Sequence, residues 1–495
     1  MAGSNKDPIA RKRSMDVLTK LFEERFRSFP DQAQPVDDRL GGSGRRLVRL
    51  TNGKVKAIGV LYNVREENVA FIEFSKFFRC HRLPVPEIYA YDLDQGAYLE
   101  EDLGDTTLFD FLSANRAGQR IAEPVIEAYR KVIAVLPRFQ VEAGRGLNYN
   151  VCYPRSSFDR QSIAWDLNYF KYYFLRLAGV SFNEQALEDD FVRLADFLLQ
   201  ADGDYFLYRD FQSRNVMLRD ACPWFIDYQG GRKGALQYDI ASLLFDSKAD
   251  LPPELRRQLL DDYLERLSAF IKLERSTFMH YYYAYVYIRL MQALGAYGFR
   301  GFYEQRTHFL QSVPYALKSA RWLLGHVDLP IALPTLTAAF RGMVDSEKLQ
   351  TLPAESEFTS EAKNLTVRVF SFSFHRGSPK DETGNGGGFV FDARSLPNPG
   401  REERFKPFTG KDAPVIDYLN RQETVHQFLA SATSLVDASL SNYQSRGFKN
   451  LMVAFGCTGG QHRSVYLAEA LAEHLRARNG LNVVVRHLEL EKQGK

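Results

Sequence analysis

The sequence predicts an α+β chain: a bilobal domain, strand-rich first and mostly helical after, followed by a separate α/β domain. Three observations predict it. The stretch Tyr208 to Asn215, followed by Phe225 to Tyr228, sets Asp210, Asn215 and Asp227 around a short apolar hairpin. Residues 351–363 are polar, carry Pro and Ser, and interrupt a long helical pattern. Beyond them, apolar strands alternate with helical runs, and one strand leads into the glycine loop Gly456 to Ser464. The expected boundaries are residues 1–350 for the bilobal domain, 351–363 for a linker and 364–495 for the second domain. Within the first domain the N-lobe spans about 13–103 and the helical C-lobe about 104–345.

At 495 residues the chain is too long for a single core, so several domains are expected. A net charge of +3 indicates neither a nucleic-acid nor a membrane partner by itself. The four cysteines, Cys80, Cys152, Cys222 and Cys457, are scattered, so neither a zinc site nor a disulfide framework is indicated. The polar, basic N-terminal segment and the lack of any long apolar run lead to the expectation of a soluble, cytoplasmic protein with no membrane partner. Aromatics cluster at Trp165 to Phe174 and His280 to Tyr287. Their helical length favours core packing over base stacking.

In the first domain, residues 13–27 carry Leu18, Leu21, Phe22 and Phe26 at helical spacing. Gly41, Gly42, Ser43 and Gly44 then precede Arg45 and Arg46, two apolar strand segments (Leu47 to Leu50 and Val55 to Tyr62) and a turn at Asn52-Gly53. Glycines here let a backbone approach phosphates, and Ser43 and the arginines supply donors. Gly42, Ser43, Gly44, Arg45 and Arg46 are therefore the expected nucleotide-phosphate loop. No lysine occurs between Ala57 and Gly59, where a phosphate-pairing cation is expected, and Lys56 alternates to the other face. Arg45, Arg46 or Arg49 is left to supply that charge, with Glu73 among the acids of residues 66–81 that could order it. Tyr98 to Gly104, with Glu101 and Leu103, follows a strand and reads as the hinge between lobes.

The hairpin carries the chemistry. A carboxylate that accepts a hydroxyl proton and an amide five residues later fit one short loop, and a second carboxylate at the end of the next hairpin can meet that amide around Mg²⁺. Asp210 is thus the expected base, and Asn215 and Asp227 the metal ligands. Asp239 is expected to tie the loop from the following helix, a helix N-cap being the alternative.

Tyr208 in place of a histidine, Asp227-Tyr228-Gln229, and Tyr238-Asp239 together resemble the aminoglycoside phosphotransferase and choline kinase superfamily, over roughly residues 15–345. The closest resemblance is to its anomeric kinases for N-acetylmuramate and N-acetylglucosamine, which Arg289 to Gly295 and Gly298 to Glu304 also resemble. It implies a protein-kinase-like fold and an ATP- and Mg²⁺-dependent transfer to an amino sugar in cell-wall sugar recycling. It also implies that the hinge backbone at Glu101 and Leu103 holds the adenine of ATP and that Asp166 and Arg209 contact the substrate. The missing lysine leaves open a non-catalytic, regulatory lobe.

In the second domain, Leu365 to Phe374, Phe389 to Arg394, Leu451 to Phe455 and Val483 to Arg486 read as strands, with helical runs near 413–444 and 463–478. Strand, glycine loop and helix N-terminus form an anion cradle. Its expected phosphate contacts are Cys457, Thr458, Gly459, Gly460, His462, Arg463 and Ser464. Ser371 to Phe374, Phe391 to Arg394, Leu396 to Pro399, Thr409-Gly410 and the whole Gly456 to Ser464 loop resemble the C-terminal domain of the RNase adapter RapZ. That resemblance implies binding of an amino-sugar phosphate and a link to small RNA. The only slightly basic charge of this region speaks against RNA as a partner. Cys457 and Arg463 also stand at the C-x5-R spacing of cysteine-dependent phosphatases, the alternative chemistry for the same loop.

Overall fold

The computed structural model describes residues 8–36, 44–118, 120–304, 306–352, 365–379, 381, 388–445, 448–478 and 480–492. Gly42 and Ser43 of the expected phosphate loop, and most of the 351–363 linker, lie outside them. The chain forms two compact units, one of residues 1–303 and 312–352, the other of 304–311 and 353–495.

The first unit opens with helix α1 (Pro8–Phe26) and an antiparallel five-stranded sheet. Its strands are β1 (Gln32–Pro35), β2 (Arg46–Thr51), β3 (Lys56–Leu61), β4 (Ile88–Asp92) and β5 (Ala97–Glu101), in the order β1-β2-β3-β5-β4. Helix α2 (Arg65–Cys80) crosses between β3 and β4. The sheet is buried on both faces because its side chains alternate. Ala97 and Leu99 join Leu18, Leu21 and Phe22 of α1 in one cluster. Tyr98, on the opposite face, meets Phe71 of α2 at 5.5 Å between ring centres. Lys56 is exposed and the next residue, Ala57, is fully buried, as strand alternation requires.

The helical lobe follows with α3 (Leu108–Ala114), the short ribbon β6 (Arg116–Ala117) and β7 (Arg120–Ile121), α4 (Glu123–Pro137), α5 (Arg160–Tyr169), α6 (Arg176–Ala178) and α7 (Glu184–Leu198). A capping box between Thr107 and Asp110 starts α3, Asp159 caps α5 and Asn183 caps α7, each side chain satisfying an otherwise orphaned amide. Two small antiparallel ladders carry the expected hairpin region. The strand β8 (Tyr205–Leu207) pairs with β11 (Arg232–Gly234), and β9 (Val216–Arg219) with β10 (Cys222–Phe225). The turn between β9 and β10 places Asp220 and Ala221 at φ of 52° and 57°, the left-handed pair a two-residue hairpin loop demands. Helices α8 (Gln237–Leu244), α9 (Pro253–Ser268), α10 (Arg275–Gly298), α11 (Val313–His326), α12 (Pro334–Asp345) and α13 (Glu347–Gln350) complete the lobe. The aromatic clusters do build core, with Phe170, Phe174, Tyr282 and Tyr285 buried, although Trp165 is half exposed.

The second unit is a parallel four-stranded sheet in the order β13-β14-β12-β15, from β12 (Leu365–Ser373), β13 (Gly388–Asp392), β14 (Asn450–Cys457) and β15 (Leu481–His487). Helices α14 (Ala413–Asn420), α15 (Glu423–Ser445), α16 (Arg463–Arg476) and α17 (Leu488–Lys492) accompany it. Val367, Val369, Leu451, Val453 and Phe455 pack with Leu467 and Leu471 of α16 in a single core. That burial explains the near-continuous apolar run of β14, the reading of a central parallel strand.

Candidate active site

The loop that leaves β8 and the turn after β10 are strained. Arg209 stands at φ 83° and Asp227 at φ 68°, a left-handed conformation that costs side-chain-bearing residues free energy. Asp239, fully buried in the first turn of α8, holds the loop in place. Its carboxylate accepts from the amides of Tyr208 (2.8 Å) and Arg209 (3.1 Å) and from Nε2 of Gln140 (3.2 Å). It ties the loop and does not cap its own helix. Burial pushes its carboxyl up to about 7, against three donors that favour the charged form.

Asp210, Asn215 and Asp227 are brought together. Asn215 Nδ2 donates to the Asp210 carbonyl at 2.8 Å and to Oδ2 of Asp227 at 3.1 Å. Among the described residues no hydrogen bond occupies the Asp210 carboxylate, which leaves it free to face an incoming hydroxyl. Asp227 Oδ1 accepts from Gln229 Nε2 at 2.7 Å and from Arg45 Nη1 at 3.4 Å. Burial, then the nearby charge of Asp210, pushes the Asp227 carboxyl up to about 6. A divalent cation beside it would reverse that effect.

The donor set suits such an ion. No cluster of three or more His, Cys, Asp or Glu among the described residues could hold a metal alone. One carboxylate and one amide are the few protein ligands expected of a cation that also takes phosphate oxygens and water. Turning the Asn215 amide by half a rotation would present its oxygen to the ion in place of the donor now facing Asp227.

On the opposite side of the cleft, Arg45 Nη2 donates to Glu67 Oε2 at 2.7 Å, and its guanidinium stacks 4.8 Å from the Tyr62 ring. Gly44 is exposed at the mouth of this turn, and Arg46 points to solvent. Arg49 is committed elsewhere, with a bidentate pair to Asp102 (2.7 and 2.9 Å) and a further contact to Asp105 (2.8 Å) that staples β2 to the hinge. Glu73, one of the acids considered for ordering the arginine, instead pairs with Lys76 on the surface. At the hinge, the Glu101 amide donates to the Glu87 carbonyl at 2.9 Å and its carboxylate accepts from Arg219 at 2.6 Å. Leu103 is buried. Sequence reasoning missed Glu100. It is next to the hinge on the same face of β5 as Tyr98, with Oε2 enclosed and, among the described residues, without a hydrogen-bond partner. Burial, only partly opposed by Arg45, pushes its carboxyl up to about 8.

The two expected substrate contacts meet each other. Arg209 makes a bidentate pair with Asp166 (2.7 and 2.6 Å), donates to the Tyr238 hydroxyl at 2.8 Å and lies over the Phe158 ring at 5.2 Å. Asp166 is therefore a partnered carboxylate and not an isolated one.

In the second unit, β14 runs into the Gly456 to Ser464 loop and then α16. Cys457 is buried, with Sγ 3.2 Å from both the Gly460 amide and the Ser464 hydroxyl. Gly460 stands at φ 71° and is enclosed, whereas Thr458 and Gly459 form the exposed rim. His462 contacts the Phe405 carbonyl at 3.0 Å, and burial lowers its pKa. Arg463 is 4 % exposed and does not offer an open fork. Its Nη1 donates to the carbonyls of Arg394 and Leu396, both at 2.9 Å, and Nη2 to Thr458 Oγ1 at 3.3 Å. Gly410 abuts the loop so closely that a Cβ there would lie 2.3 Å from the His462 carbonyl oxygen.

Residues 40–273 match the model of the phosphotransferase enzyme family, and residues 365–491 that of the RapZ C-terminal domain. RNase adapter proteins RapZ from Yersinia enterocolitica and Yersinia pseudotuberculosis are each 44% identical to this chain over 131 residues, 26% of this chain. The chain spans 44% of the length of those relatives. Among solved structures, a choline kinase from Cryptosporidium parvum Iowa II is 10% identical with a TM-score of 0.45, covering 66% of this chain and 99% of its own. Choline kinase LicA from Streptococcus pneumoniae is 12% identical with a TM-score of 0.40, covering 62% of this chain and 99% of its own. No described helix is long and apolar enough to cross a membrane. The chain thus carries, in order, a segment that matches the phosphotransferase enzyme family and one that matches the RapZ C-terminal domain.

Proposed function

We propose that the first domain is an ATP- and Mg²⁺-dependent kinase that phosphorylates a hydroxyl of an amino sugar of the N-acetylmuramate or N-acetylglucosamine type. We propose further that the second domain binds an amino-sugar phosphate. The observation that carries the kinase reading is the meeting of Asn215 with Asp227 at 3.1 Å beside the unengaged Asp210 carboxylate. Asp210 orients the acceptor hydroxyl and takes its proton as the bond to phosphorus forms. Asn215 and Asp227 would hold the divalent cation, which neutralises phosphate charge when bound. Arg45, ordered by Glu67, supplies the fixed cation that β3 lacks, so the missing lysine does not by itself favour a non-catalytic lobe. Phe158 and Tyr238 are buried and pack on the Arg209 guanidinium, which they hold against Asp166. The sugar-phosphate reading of the second domain is supported by its RapZ-like sequence and by the exposed rim at Thr458 and Gly459.

The test is ATP turnover by the full chain against a panel of amino sugars, aminoglycosides, choline and ethanolamine. Transfer to a hexosamine hydroxyl, reduced at least about 100-fold in Asp210→Asn, is the expected result. Turnover confined to the non-sugar acceptors overturns the substrate class. Undiminished turnover in the variant overturns the role of Asp210.

A further inference from the structure

Beside the Asp166–Arg209 pair lies a second guanidinium with no acid of its own. Arg232 opens β11, opposite Leu207 of β8, two residues before Arg209 in the catalytic loop. It is 6 % exposed. Among the described residues its one hydrogen bond runs from Nε to the Gly230 carbonyl at 3.0 Å. Among the described residues no carboxylate lies within 4.0 Å of it. The acid nearest in influence is Asp166, whose two oxygens are both taken by Arg209 at 2.7 and 2.6 Å. The Tyr238 hydroxyl also serves Arg209. The part-buried Arg209 thus takes both oxygens of Asp166 and also feels the charge of Asp210, while the buried Arg232 has no carboxylate hydrogen-bonded to it among the described residues.

Leaving a buried cation unpaired is costly, and natural cores avoid it unless something supplies the missing anion. Burial, reinforced by the charge of Arg209 and only partly opposed by Asp166 and Tyr238, lowers Arg232 to about 10, so it stays charged at neutral pH. The cluster is close to the chemistry, because Arg209 precedes Asp210 and feels its charge. A planar guanidinium fork matches a carboxylate or phosphate group.

We propose that Arg232 binds an anionic group of the acceptor, so that the kinase acts on acidic sugars, those bearing a carboxylate or a phosphate ester. This rests on the sugar-kinase reading for the scaffold but not for the charge.

The experiment compares matched acceptors on the full chain: N-acetylmuramate with its methyl ester, glucosamine 6-phosphate with glucosamine, and glycerate with glycerol. Calorimetry in the presence of a non-hydrolysable ATP analogue accompanies the kinetics. The wild type is expected to prefer the anionic member of at least one sugar pair by tenfold or more in kcat/KM. The pair that responds tells carboxylate from phosphate. In Arg232→Met that preference should collapse toward one, and Arg232→Lys should restore part of it. The thermal midpoint of Arg232→Met should equal or exceed that of the wild type, because a buried unpaired charge is removed, whereas a structural arginine would lower it. Equal use of both members, a preference for the neutral member, no binding of any acid, or a change only in the KM for ATP each overturns the proposal. Preference for glycerate with no turnover of any hexosamine would keep the anion site and sink the sugar reading. Turnover of neutral hexosamines alone would do the reverse.

Discussion

Arg45 donates to Glu67 at 2.7 Å and reaches Asp227 at 3.4 Å, so one guanidinium links the glycine-rich turn, helix α2 and the candidate metal ligand. The β3 segment Ala57 to Gly59 has no cation, and in the proposed reading Arg45, at the entry of the neighbouring strand, would take that part. Arg45→Ala is expected to raise the KM for ATP at least about tenfold, with Arg45→Lys intermediate, because a point charge keeps the attraction but loses the fork. Glu67→Gln should act in the same direction and less strongly. Titration with a fluorescent nucleotide checks all three, and unchanged affinity in Arg45→Ala would remove the arginine from the nucleotide site.

The raised carboxyl of Asp227 predicts a pH dependence. Protons compete with the metal, so affinity for the metal–nucleotide complex should fall as pH drops through about 6. Asp210→Asn removes one cause of the shift and should move that midpoint to lower pH. A midpoint unmoved in that variant would separate the two carboxylates.

Without ligands, the same shift works on stability. Asp227, ordinarily 3.8 and here about 6, and Glu100, ordinarily 4.5 and here about 8, hold protons in the folded chain that the unfolded chain has already released. Stability should therefore decline as pH rises through these windows. Glu100→Gln is expected to flatten the decline between pH 5 and 8 in thermal melts, and an identical slope would show that Glu100 is solvated.

Asp239→Ala should destabilise the first unit by about 2–4 kcal/mol, since it strands two buried loop amides and the Gln140 amide. Chemical denaturation monitored by Trp fluorescence measures it, and a loss below about 0.5 kcal/mol would show the loop holding its shape unaided.

In the second unit, Arg463→Ala is expected to cost about 1–3 kcal/mol, because it leaves the carbonyls of Arg394 and Leu396 without their donor. Loss of phosphate binding in that variant is informative only if its melting transition is retained. Thr458→Val, at the exposed rim, probes the anion contact with less effect on the core.

The sequence by itself determined the elements whose causes are local. Short apolar runs bounded by turn residues gave β2, β3 and the four parallel strands. Helical spacing gave α1, α2 and α16. The Asp210 to Asn215 loop and the β9–β10 hairpin are contiguous chain, so spacing alone placed Asp227 near Asn215. The short edge strand β1 went unseen, because a strand with little buried apolar surface leaves a weak alternation signal. Only the tertiary structure decided which charges pair. Arg45 finds Glu67 at a separation of 22 residues and Asp227 at 182, Arg209 finds Asp166 at 43, and Arg463 finds the Arg394 carbonyl at 69. A long side chain's reach is set by whichever elements packing brings beside it, and hydrophobic burial, which drives that packing, carries no information about ion pairs. For that reason Arg463 could be read as an open fork and Arg232 passed over, although their residue types and positions were plain in the chain.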